Sequence, residues 1–140
     1  LPGNGIWLIS AGSLLEGYQM SNHEKINYLE FPAKDMEQTK AFFGEVFEWS
    51  FVDYGPDYVA CSNAGIDVGF FKSDLTAETN SGSVLIVFFS ETLEETLAKV
   101  EQAKGKIMKP IFSFPGGRRF HFSDPNGNEF AVWAEPEQDG

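Results

Sequence analysis

The run from His121 to Trp133, HFSDPNGNEFAVW, constrains the chain most tightly. Apolar residues alternate with other types on both sides of Asp124-Pro125-Asn126-Gly127, which predicts two antiparallel strands joined by a tight turn. Asp124, Pro125 and Gly127 occupy the first, second and fourth corners of a type I turn. Pro125 presets its own φ, and Asn126-Gly127 can absorb a positive φ.

The rest of the chain repeats one order of elements twice. Ile26 to Pro32 is expected as a strand. Asp35 then caps a helix whose stripe is Met36, Ala41, Phe42, Phe43, Val46 and Phe47. Gly44 inside that helix is expected to mark a close approach to the sheet. Strands follow over Trp49–Tyr54, Tyr58–Ser62 and Ile66–Lys72, separated by Gly, Pro and Asn. A polar linker, residues 74–82, leads into the second half. There Ser83–Phe89 is so continuously apolar that burial on both faces is expected. Ser90 or Thr92 caps a helix, Thr92 with Glu95 matching a capping box; Leu93, Leu97 and Val100 form its stripe, and Gly105 is expected to close it. Lys106–Phe114, Arg118–Ser123 and Asn128–Ala134 complete the set. The fold class is therefore α+β: two βαβββ modules, residues 25–73 and 83–136, in a single domain over residues 25–136.

Residues 137–140 read as a tail. Residues 1–24 read as an N-terminal leader or extension. Its apolar stretch Gly5–Leu15 is too short to span a bilayer, and no Lys or Arg precedes it as in a signal peptide. Met20 is a plausible natural start. Trp7 and its neighbours could dock on an exposed apolar surface.

Charge narrows the partners. A net charge of −11 argues against nucleic acid and against an anionic membrane, since phosphate binding needs clustered Lys and Arg. It suits a neutral or cationic ligand. The single cysteine, Cys61, can form no disulfide within the chain and is compatible with a cytoplasmic location. Fourteen phenylalanines are available to fill a core, to line an apolar pocket, or both.

Asp-Pro-Asn-Gly-Asn between two C-terminal strands is similar to a motif of the glyoxalase / bleomycin-resistance / extradiol-dioxygenase superfamily, the vicinal oxygen chelate proteins. Tyr28-Leu29-Glu30-Phe31-Pro32-Ala33-Lys34-Asp35, followed by Thr39-Lys40-Ala41-Phe42-Phe43, resembles that family's opening strand and first helix. The resemblance covers roughly Lys25 to Glu135. It implies a curved eight-stranded sheet forming a cup with helices outside, and a homodimer.

The resemblance also locates metal ligands. The family's metal enzymes carry His or Gln on the opening strand, where this chain has Tyr28. The second half offers Val84 or Leu85, and the last strand has Ala131 in place of a Glu. Asp67 or Gly69 stands at the fourth position. No metal and no cofactor is therefore expected. A shifted set, Glu30, His121 and Glu129, is the alternative; it would make a glyoxalase-like lyase, isomerase or dioxygenase. Otherwise Glu30 pairs with Arg119 and His121 is a hydrogen-bonded wall residue.

Alternation along the strands puts Tyr28, Glu30, Phe89, Arg119, His121, Glu129 and Trp133 on the inferred cup wall. Aromatic faces with a few charged groups are how small-molecule pockets are built. The expected function is metal-free binding of a hydrophobic, aromatic or cationic small molecule; the same aromatics could instead fill the cup as core. Pro115-Gly116-Gly117-Arg118-Arg119 reads as a hairpin connection at the rim, or else as an anion-binding loop.

Overall fold

A computed structural model describes residues 21–137; the apolar stretch around Trp7, Met20 and the last three tail residues lie outside them. The order of elements is β1 (Tyr28–Ala33), α1 (Met36–Phe47), β2 (Phe51–Asp53), β3 (Tyr58–Cys61) and β4 (Asp67–Lys72). After a 3-10 turn (Thr79–Ser81) come β5 (Ile86–Phe89), α2 (Leu93–Gln102), β6 (Lys106–Phe114), β7 (Gly117–Ser123) and β8 (Glu129–Ala134). The eight strands make two open four-stranded sheets, ordered β1-β4-β3-β2 and β5-β8-β7-β6. In each module the first and last strands pair in parallel and the others antiparallel.

One aromatic core serves both modules. Phe31, Phe42, Phe43, Phe70, Phe120, Phe122 and Phe130 are all buried. Phe43 on α1 packs against Phe70 at 5.4 Å and Phe130 at 5.5 Å, one from each sheet. Phe47 stacks on Phe88 at 4.1 Å. Each buried Phe contributes roughly 1.5–3 kcal/mol, so contacts that cross from module to module make the two halves one cooperative body. Phe89 and Phe112 remain exposed.

The Asp124–Asn128 turn is a second tie between the modules. The Gly127 N–H bonds to the Asp124 carbonyl at 3.0 Å, and Gly127 takes the positive φ, at 92°. Asn126 Oδ1 accepts from the backbone N–H of Lys34 at 2.8 Å and of Asp35 at 3.3 Å, and its Nδ2 donates to Thr39 Oγ1. Asn128 Nδ2 donates to the Pro32 carbonyl at 2.8 Å, and its Oδ1 accepts from Ala77 N. The motif thus holds the junction of β1 and α1, ninety residues away, as well as its own hairpin.

Local expectations are corrected in four places. Asp35 caps α1 as read, accepting from Gln38 N at 2.9 Å. Of the two residues read for the start of α2, Thr92 makes no side-chain cap, and Ser90 Oγ takes the Thr92 N–H and bonds Thr96. The left-handed residue after α2 is Lys104, at φ 72°, whereas Gly105 is required because a Cβ there would meet Val100 and Phe42. Gly44 has no such reason: a Cβ would lie 3.6 Å from the Trp49 carbonyl, an ordinary contact. Finally, β5 is an edge strand covered on one face only. Val84 is 81% exposed and Phe89 50% exposed, so the apolar run is not buried on both sides.

Candidate functional site

The face of each sheet turned away from the helices carries the polar residues singled out above. They form two clusters, one on each sheet.

On the second sheet, β7 and β8 bring Arg119, His121 and Glu129 into one chain of contacts. His121 Nδ1 lies 3.0 Å from Glu129 Oε2, and Arg119 Nη2 lies 2.8 Å from His121 Nε2. A guanidinium only donates, so Nε2 must accept and the imidazole proton sits on Nδ1, donated to Glu129. Glu129 Oε1 accepts both the backbone N–H and the hydroxyl of Thr79, at 2.9 and 2.8 Å. Burial pushes the Glu129 carboxyl up, but the bonds from Thr79 and His121 prevail and hold it below the ordinary range. His121 is 3% exposed, so this is a wall chain and not a set of free side chains. Around it stand Phe112 and Phe114, each 5.8 Å from the Arg119 guanidinium carbon, and the Phe89–Trp133 pair at 5.1 Å.

On the first sheet, Tyr28 and Glu30 lie on β1 and Tyr58 on β3. Tyr28 Oη is 2.5 Å from Tyr58 Oη, and Tyr58 donates to Glu30 Oε2 at 2.9 Å. The two hydroxyls meet in the space left by Gly69, the ladder partner of Glu30 on the central strand β4. Burial, and after it the bonds to Tyr28 and Glu30, raises the Tyr58 phenol well above its ordinary value.

Glu30 thus pairs with Tyr58 rather than with Arg119, and no hydrogen bond joins the two clusters among the described residues. Tyr58 and Thr79 were missed as site residues, and Gly69 was read only as an alternative ligand position and not as the place where two phenols meet. A glycine inside a strand is a sequence signal of close approach. Thr79, fifty positions from Glu129, gave none.

A divalent metal would need about three convergent His, Asp, Glu or Cys ligands with an open position. The residues do not fit. Tyr28 is engaged by Tyr58, Ala131 and Gly69 have no donor, Asp67 has no two other metal-ligating side chains converging on it, and the Nε2 lone pair of His121 faces a guanidinium. No group of three such side chains converges among the described residues, so Glu30, His121 and Glu129 are not assembled.

Pro115-Gly116 is the two-residue connection of the β6–β7 hairpin, with Phe114 opposite Gly117. Arg118 is drawn to Glu94 of α2 at 2.5 Å, on the helix side, which leaves Arg119 alone on the other face.

Solved structures share this fold. A glyoxalase-related enzyme from Fulvimarina pelagi superposes with a TM-score of 0.68 at 18% identity, over 80% of this chain and 88% of that one. The fosfomycin resistance protein FosX of Listeria monocytogenes gives 0.67 at 20% identity, over 79% and 93%. A mutant of that protein complexed with Mn(II) and a dihydroxypropylphosphonic acid gives 0.66 at 17% identity, over 79% and 89%. Among curated proteins, none matches in sequence. The family model described as Glyoxalase/Bleomycin resistance protein/Dioxygenase superfamily matches residues 25–132, and this chain belongs to that superfamily.

Proposed function

We propose that the protein is a metal-free, homodimeric binder of a small molecule that is hydrophobic, aromatic or cationic. One observation carries the reading: the places where the resemblance puts the metal enzymes' ligands hold Tyr28, Val84 or Leu85, Asp67 or Gly69, and Ala131, no three metal-ligating side chains converge among the described residues, and the one buried imidazole has both nitrogens engaged. What remains is aromatic surface with fixed polar groups, the chemistry of recognition. Tyr28, Glu30, Phe89, Arg119, His121, Glu129 and Trp133 are its candidate contacts. Exposed Phe89 beside Trp133 supplies an apolar face, and Arg119 and Glu129 orient what lies on it.

The dimer is supported by the exposed Ile26, Leu75 and Val84, which rim an apolar groove of about 570 Å³ between the modules. Nucleic acid and anionic membranes are not favoured as partners, since a net charge of −11 opposes phosphate and the Lys and Arg that would hold it are outnumbered. Among the described residues no helix is long and apolar enough to cross a membrane. The cytoplasmic location is part of the proposal and rests on the single cysteine, which can form no disulfide within the chain.

Metal analysis after dialysis against trace divalent ions tests the reading. The expected result is less than one ion for every ten chains. A stoichiometric ion, lost on Glu30→Gln, His121→Ala or Glu129→Gln, would instead establish the competing glyoxalase-like enzyme. A thermal-shift ligand screen supplies the positive arm: a true ligand at one hundred times its Kd stabilises by about 2.7 kcal/mol, and Trp133→Ala abolishes that gain.

A further inference from the structure

We propose that the cavity walled by Tyr28, Tyr54 and Tyr58 takes an organic ammonium ion bearing at least one N–H, seated on the Tyr28 oxygen in a cavity that Asp67 also lines. The proposal rests on the small-molecule reading above and assigns the ligand's charge and donor group.

The direction of the hydrogen bonds carries it. Tyr58 has one hydroxyl proton and gives it to Glu30. The proton in the 2.5 Å contact between the two phenols must then come from Tyr28. Tyr28 has none left, so its oxygen offers only lone pairs to anything that approaches. Charge agrees. The cavity, about 420 Å³ in volume, contains Asp67 among its lining residues and neither Lys nor Arg. Asp67 is the backbone ladder partner of Tyr28 on the neighbouring strand, while the Tyr28 hydroxyl reaches along that strand to Gly69, so Asp67 supplies negative charge to the same cavity. The walls suit a cation as well. Tyr54 and Tyr58 are set edge to face at 6.4 Å, and Tyr28, Val52 and Tyr54 are exposed around the mouth. Phenol rings attract cations through their faces. A carboxylate ligand would meet only acceptors and negative charge. A neutral aromatic would gain the rings but not the charge, and a quaternary ammonium would gain the charge but could not use the Tyr28 lone pairs.

Four probes separate these cases: benzylamine, benzyl alcohol, benzyltrimethylammonium and benzoate, each titrated at neutral pH with calorimetric readout. Benzylamine is expected to bind at least ten times more tightly than any of the other three. Tyr28→Phe keeps the ring and removes the acceptor. It should weaken benzylamine at least tenfold while leaving benzyl alcohol unchanged. Tyr54→Ala should weaken both. Equal binding of benzylamine and benzyl alcohol, or an amine affinity that ignores Tyr28→Phe, overturns the proposal. If neutral aromatics bind in a manner that depends on Trp133 and not on Tyr28, the small-molecule reading stands and this assignment fails. If none of the four binds and the ligand screen is also empty, both fail.

Discussion

Asn126 Nδ2 donates to Thr39 Oγ1 across 2.8 Å, fastening the last turn of the second module to the first helix of the first. The same amide's oxygen takes the N–H groups of Lys34 and Asp35. Asn126→Ala leaves these buried groups unpaired, and each such loss costs about 1–3 kcal/mol. Chemical denaturation should therefore show a lower midpoint for Asn126→Ala, by about 2 kcal/mol or more. An unchanged midpoint would mean that the clasp is idle.

Asp124 makes the clasp sensitive to pH. Burial pushes its carboxyl up to about 6, against the pull of bonds from the backbone and side-chain N–H groups of Asn126 and Asn128. With the folded value above the unfolded one, the folded state binds more protons between about pH 4 and 6. Asp124's contribution is then fully present below about pH 4 and is lost as pH rises through 6. Glu129 runs the other way: its folded carboxyl is held low, so its contribution is present above about pH 4.3 and fades on acidification. Stability measured from pH 4 to 7 should fall less steeply, or rise, in Asp124→Asn relative to wild type. Parallel curves would refute the assignment.

Gly69 permits the contact between the Tyr28 and Tyr58 hydroxyls. A methyl group at position 69 would overlap the Tyr58 hydroxyl and force the pair apart. Titration followed by tyrosinate absorbance should show one phenol ionising well above the ordinary range in wild type, as the raised Tyr58 requires. Gly69→Ala should return that phenol toward the others. No change on substitution would show that the pair is not what holds it.

His121 is fixed by its neighbours in the form protonated on Nδ1. Nitrogen–proton correlation spectra at neutral pH should show a protonated Nδ1 and a bare Nε2 for this residue. Arg119→Ala alone should leave Nδ1 protonated, because the Glu129 carboxylate still accepts from it; Arg119→Ala combined with Glu129→Ala should release the preference. A protonated Nε2 in the wild type would contradict the geometry.

Two glycines give opposite expectations. Gly44→Ala gains helix propensity and meets no obstacle, so it should stabilise by about 0.5–1 kcal/mol. Gly105→Ala drives a methyl into Val100 and Phe42, and overpacking of that kind costs about 1–3 kcal/mol. Thermal denaturation of the two variants should move in opposite directions.

What was legible in the sequence was local or periodic. The two βαβββ runs follow from alternation and helical spacing, and the turn at Asp124 follows from residue types that accept its dihedral angles. That Ala131 stands where the resemblance places the family's Glu is a matter of identity alone, readable once that position is aligned. Partnerships were not legible. That Glu30 goes to Tyr58 and not to Arg119, that Thr79 reaches Glu129, and that Asn126 clasps α1 depend on which strands lie side by side. Sheet order brings residues thirty to ninety positions apart within 3 Å, and nothing in the intervening sequence encodes that approach. Exposure of Phe89 was likewise decided by tertiary structure: an apolar strand is buried on both faces only if something covers both, and β5 lies at an edge.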